Sequence, residues 1–283
     1  MVCMILNKKN LCDYLYLVDS FNGSQEIAAT VQLEKAFKKT ILFKTRDDAL
    51  RAAADENPKR VFIDSDVGLK LFINLLKLKI KSPKTEIHVY EEGIGTYRTD
   101  LIPNKLKNLV FTALGVGCYF GGASLTKKIH IFNPSLYKKN IPFLSKKIEK
   151  IEDDFSFWIS SNKDSLIEVF SPGFKVENLE SLDLARVYLS DWEMDVEFIA
   201  KLAKLGRVFV KPHPHIKRIA LDEITTNNNI ELVPGALPAE LLMILLADKF
   251  QNVKIYHKNS SCMNYISSER IEGIAHNKNT SLS

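Results

Sequence analysis

Residues 60–93 read RVFIDSDVGLKLFINLLKLKIKSPKTEIHVYEEG. Residues 60–63 form a short β-rich run, 67–78 a helical stretch, and 86–90 (EIHVY) a second β-rich run that ends in Glu91-Glu92-Gly93. A strand, a helix and a strand in this order predict a βαβ unit, whose two strands lie parallel in one sheet. The alternation continues on both sides. Upstream, DYLYLV at 13–18 reads as a first strand, followed by a Ser20-Phe21-Asn22-Gly23 turn and a helix near 25–37; 40–43 is a strand and 47–55 a helix. Downstream come a helix within 103–120, Gly121-Gly122, and a strand at 128–132 (KIHIF) closed by Asn133-Pro134. This half reads as doubly wound. A second alternating set follows, with strands at 185–189, 207–211, 230–232 and 253–256, helices at 194–205 and 239–247, and a last helix opened by Ser260 and Ser261. The fold class expected is α/β with parallel sheets.

At 283 residues the chain is long enough for two such domains of about 100–150 residues each, and two lobes imply a cleft. We expect an N-terminal domain over 1–160 and a C-terminal one over 161–283, joined somewhere within 140–180, where 146–163 is amphipathic and charged. Hydrophobic residues make up 46 % and charged residues 26 %, which excludes a disordered or fibrous chain. Cys3, Cys12, Cys118 and Cys262 are scattered without a CxxC pair or zinc-like spacing, so reduced thiols, no disulfide and no structural metal are expected, as in the cytoplasm. Polar residues interrupt 1–13 where an export signal would be unbroken and apolar. Apolar runs such as 241–247 fall far short of the roughly 18–20 residues that span a bilayer. Any membrane contact is therefore expected from the surface, peripheral on the inner face of the cytoplasmic membrane. The net charge of +5 comes with basic clusters at 76–84, 127–128, 138–139 and 146–150, which suit anionic lipid or an acidic polymer; solvated helix faces are the plainer account. No aromatic-basic interleaving points to nucleic acid.

Four places carry chemistry. Glu91 and Glu92 end a predicted parallel strand, where ligands collect in open α/β sheets, and Gly93 lets the chain turn after them. Strand alternation sends the two carboxylates to opposite faces, so one can serve as a base while the other anchors backbone. Lys211-Pro212-His213-Pro214-His215 follows another predicted strand; the prolines stiffen the loop that holds an imidazole suited to a phosphate or to proton delivery. An H-x-H metal site lacks a recognisable third ligand. Glu240 follows Pro238 at a helix start, and Ser260-Ser261 offer hydroxyls and unpaired N–H groups to an anion. Taken singly, each has an ordinary structural account: solvated turn glutamates, a turn histidine, a first-turn acid answering the helix dipole, an N-cap.

In this order, EEG at 91–93, HP at 213–214 and SS at 260–261 resemble the motifs of the two-domain bacterial sialyltransferases, the lipooligosaccharide sialyltransferase and capsule polysialyltransferase families. The resemblance implies a GT-B fold, two Rossmann-like domains facing a central cleft, with the acceptor on the N-terminal side and CMP on the C-terminal side. It implies one of Glu91 and Glu92 as general base, with a lean toward Glu92, His213 on the departing phosphate, and Ser260 and Ser261 holding that phosphate. Lys211 and Pro214 would belong to the same donor site, where Glu240 would bind the ribose. Ser20, Asn22, Gly23 and Gly93 are candidates for the acceptor wall, with 94–98 beside them. Family members often carry a basic residue soon after HP; here His215 precedes Lys217 and Arg218, which leaves the role of His215 open. The activity implied is inverting, metal-independent transfer of sialic acid from a CMP donor to a glycan acceptor, with no cofactor. CMP-pseudaminic, CMP-legionaminic or CMP-Kdo transfer, transfer from a nucleotide-diphosphate sugar, and a non-catalytic role in glycan assembly are the alternatives.

Overall fold

A computed structural model describes the chain except residues 22, 34–36, 152–153, 177–182, 192, 215, 217–226, 259, 267 and 277–283, and the side chains of Leu33 and Ser261. In chain order the elements are α1 (Val2–Lys8), β1 (Tyr14–Val18), α2 (Ser24–Leu33), β2 (Lys39–Phe43), α3 (Arg46–Glu56), β3 (Arg60–Ile63), α4 (Leu69–Lys81), β4 (Glu86–Tyr90), α5 (Lys105–Ala113), β5 (Thr126–Ile131), α6 (Pro134–Asn140) and β6 (Ile148–Lys150). They continue with α7 (Phe155–Ser161), α8 (Lys163–Phe170), β7 (Leu184–Leu189), α9 (Val196–Lys204), β8 (Val208–Lys211), β9 (Ile230–Leu232), α10 (Ala239–Lys249), β10 (Asn252–His257) and β11 (Ile271–Ala275).

The chain divides into two compact units. The first comprises Met1–Asp19 and Val31–Asp154, the second Ser20–Thr30 and Phe155–Ser283. The first thus gives up most of α2, through Thr30, to the second, an exchange that the sequence does not announce.

In the first unit β1 pairs with β2, and β3-β4-β5-β6 form a second ladder in chain order, all parallel. Its core gathers Ile63, Ile87, Val89, Ile129 and Ile131 from the strands with Leu71, Leu75 and Leu78 from α4. Those leucines recur every three or four residues, which aligns them on one face of the helix. The helix expected within 103–120 stops at Ala113, because Gly115 takes φ 72° and the chain at Gly117 pairs with Val67.

The second unit holds one parallel sheet in the order β11-β10-β7-β8-β9. Here the strand order reverses: from β7 the chain moves outward to β8 and β9, then returns to β10 on the other side. This reversal, expected for the N-terminal half, is found among the described ladders only in this sheet. Phe198, Ile199, Leu202 and Ala203 of α9 pack on Val208, Val210 and Tyr256. The registers Leu189↔Lys211 and His257↔Leu189 set the carboxyl ends of β7, β8 and β10 in one row.

Candidate active site

In the first unit, β4 delivers Glu91 and Glu92 to the carboxyl edge of its sheet. Gly93 adopts φ 148°, a conformation open to glycine and little else, so the turn after the two glutamates depends on it. Glu91 is 1 % exposed, and its Oε2 accepts from the Tyr97 hydroxyl and from the Phe132 N–H at 2.7 Å. The Tyr97 oxygen accepts in turn from the Asn133 N–H at 3.1 Å. Burial and the Glu91 charge push the Tyr97 hydroxyl far above its ordinary value, so it remains a donor. Glu91 therefore fastens the turn after β4 to the chain leaving β5. Tyr97, placed by sequence on the acceptor wall, belongs instead to the core.

Glu92 is an exposed residue, and its backbone N–H donates to Thr96 Oγ1 at 3.3 Å. Enough protein surrounds the carboxyl that desolvation, with the negative charge of Asp64, pushes it up to about 7 against the pull of Arg46. Asp64 follows β3 and pairs with Arg46, the first residue of α3. The sequence reading missed both, although Asp64 directly follows its strand just as Glu91 follows the next. Cys3 and Tyr90 complete this group; burial raises both and keeps them neutral at pH 7.

In the second unit, the candidate residues follow the ends of neighbouring strands around the point where strand order reverses, the place at which open α/β sheets take ligands. Lys211 ends β8 and is buried, its Nζ donating to the carbonyls of Pro212 at 2.8 Å and Gly235 at 2.9 Å. Burial pulls its ammonium down to about 8, with Glu240 opposing the shift. Two of its donors thus hold the His213 loop to the loop before α10. The His213 N–H donates to Ser190 Oγ at 2.6 Å, and the Ser190 N–H donates to the Lys211 carbonyl at 3.0 Å. Ser190 was not singled out by sequence, yet it directly follows the predicted strand at 185–189. Pro214 follows His213 and is half-buried.

Glu240 lies in the first turn of α10, its carboxyl raised by burial with Lys211 acting against the shift. Ser260 donates its N–H to His257 Nδ1 at 3.2 Å, and its hydroxyl lies 2.8 Å from Cys262 Sγ. Burial and the Glu240 charge push the Cys262 thiol up to about 12. The helix expected after Ser260 is a single 3-10 turn, Ser261–Asn264, and the Ser260 side chain makes no cap bond to it. So short a turn accumulates little dipole and leaves side chains and individual N–H groups as what it has to offer an anion.

Ser20 and Gly23, expected on an acceptor wall in the N-terminal domain, belong to the second unit. Gly23 has φ 89°, and a Cβ on it would stand 2.7 Å from the Ala236 Cβ, in the loop leading to Glu240. Asn22, His215, Lys217, Arg218 and the Ser261 side chain lie outside the described residues. Among the described residues no grouping of three or more His, Cys, Asp or Glu suits a metal ion.

Residues 25–253 match the family described as alpha-2,8-polysialyltransferase (POLYST). The chain belongs to that family. It is a glycosyltransferase of the sialyltransferase kind, which takes a nucleotide-sugar donor and a glycan acceptor. No curated protein sequence matches it. Among solved structures, it is similar to a putative UDP-N-acetylglucosamine 2-epimerase from Listeria monocytogenes, with 13 % identity, TM-score 0.53, and 91 % of this chain and 69 % of that one covered. The wall teichoic acid polymerase TagF is similar at 8 % identity and TM-score 0.50, over 92 % of this chain and 71 % of that one. These likenesses show the fold of the polysialyltransferase-family chain: GT-B, with Rossmann-like α/β units built on parallel sheets.

Proposed function

We propose that the chain transfers sialic acid, or a related nonulosonic acid, from its CMP-activated form to a glycan acceptor, with inversion and without a divalent metal. The observation that carries this reading is the division of labour at 91–93. Glu91 is consumed by hydrogen bonds within its own unit, whereas Glu92 is open to solvent with a carboxyl near 7, the range in which a general base works best.

In this mechanism Glu92 takes the proton of the acceptor hydroxyl as its oxygen bonds to the anomeric carbon. The bond from that carbon to the CMP phosphate breaks through an oxocarbenium-like transition state, and the charge left on the phosphate is met by His213 and the Ser260 hydroxyl. Ser190 and Lys211 act on the loop that carries His213, and Glu240 suits the ribose hydroxyls as an acceptor. A single phosphate asks for less neutralisation than a diphosphate, so an imidazole and hydroxyls suffice. The work belongs to surface polysaccharide or lipooligosaccharide synthesis.

The test is CMP release from CMP-sialic, CMP-pseudaminic, CMP-legionaminic and CMP-Kdo donors in EDTA, with glycan acceptors supplied. Release from one of these donors is expected to survive EDTA and to fall about a hundredfold or more in Glu92→Gln and in His213→Ala. Loss of release in EDTA, or release from UDP-sugars alone, overturns the reading.

A further inference from the structure

Helix α5 has no buried residue among its nine. Leu106, Leu109 and Val110 of the helix and Leu114 at its C-cap are 71, 67, 46 and 62 % exposed, an unusual waste of apolar surface on a two-turn helix. At about 100° per residue these four side chains fall within an arc of roughly 140°, and Lys105 and Lys107 fall just outside its two edges. The opposite side, with Asn108 and Phe111, is the less exposed one, so the leucine stripe faces away from the unit.

Helix α4 repeats the arrangement. Leu71, Leu75 and Leu78 are buried, while Leu69, Ile73, Leu76 and Ile80 are exposed within an arc of roughly 60° on the far side. The segments that flank them are tied by backbone: the Gly68 N–H, at the N-cap of α4, donates at 2.9 Å to the carbonyl of Gly117, four residues past the end of α5. Charge distinguishes them. Lys70 and Lys81 of α4 pair with Asp47 and Asp55, whereas residues 101–148 contain eight lysines and no aspartate or glutamate.

We propose that the exposed faces of α5 and α4 seat the protein on an anionic lipid surface, the leucines and isoleucines entering the headgroup boundary and the lysines meeting lipid phosphates. Lysine stems on both edges of an apolar stripe can bury their methylenes while their ammonium groups stay at the polar level. A soluble polyanion would draw on the lysines but leave the leucines without a partner. No helix among the described residues is long and apolar enough to cross a membrane, so the attachment lies along the surface. The inference does not depend on the identity of the donor.

Sedimentation of the full chain with vesicles tests it. Binding is expected to vesicles of phosphatidylcholine with phosphatidylglycerol, to fall about tenfold or more without the anionic lipid, and to fall as far in Leu109→Ser/Leu114→Ser and in Lys105→Glu/Lys107→Glu. None of these residues is buried, so the variants should keep the parent circular dichroism and its CMP release on a water-soluble acceptor. Equal binding to neutral and anionic vesicles, unchanged binding of the serine variant, or loss of a solution oligomer in that variant with no vesicle binding by the parent would each overturn the proposal.

Discussion

Glu91 and Glu92 differ by one position and by everything that decides the behaviour of a carboxylate. One accepts two hydrogen bonds in a dry setting; the other meets water, a like charge and a cation. If Glu92 is the base, kcat/KM should climb with pH through about 7, as the carboxyl loses its proton. Asp64 disfavours the ionised form and Arg46 favours it. Asp64→Asn should therefore move the acidic limb to lower pH, and Arg46→Gln should move it higher, each by about one unit or less at so accessible a site. A limb that keeps its midpoint in both variants would show that another group titrates. The glutamates were legible as a motif at a strand end, but the pair that tunes Glu92 was not, because Arg46 opens α3 and Asp64 follows β3, and only the folded chain gathers them.

At the scale of elements, the turn after β3 shows how the first unit is tied together. Asp66 is fully buried and accepts from the Gly121 N–H at 2.8 Å, the Ala123 N–H at 2.9 Å and the Thr126 hydroxyl at 2.6 Å. Lys147 donates to the carbonyls of Gly121 and Ala123 at 3.0 and 2.8 Å, so one loop is held from both of its polarities. Asp66→Ala would leave three buried donors unpaired and should cost about 3 kcal/mol or more, read as a lower midpoint in denaturant unfolding at unchanged slope. The Asp66 bonds span more than fifty positions and leave no local trace. What the sequence did expose were strands with strong β-rich runs, such as β4, β7 and β10, whose observed limits lie within two residues of those expected. It did not expose β6, three residues long, or β11, whose centre is Gly273, a poor strand residue. Both lie at sheet edges, where pairing partners rather than local preference make the strand.

For the whole molecule, the chain passes between its units three times rather than once, because Ser20–Thr30 is counted with the second unit while β1 and β2 on either side stay in the first. The helix so exchanged is not a loose strap: Ser24, Ile27 and Ala28 are buried, and Gly23 is pressed against Ala236. A single cut at 154/155 would remove residues 20–30, with the buried Ile27 and Ala28, from the second unit. The segment 155–283 expressed alone should therefore unfold without a cooperative transition or aggregate. The same segment with residues 20–33 fused through a flexible linker should melt cooperatively, since buried apolar area is what a unit of this size depends on. Equal cooperativity of the two fragments would mean that α2 adds contacts to a unit already complete, and that the exchange serves the placement of the Pro234–Pro238 loop before Glu240 rather than the stability of the sheet.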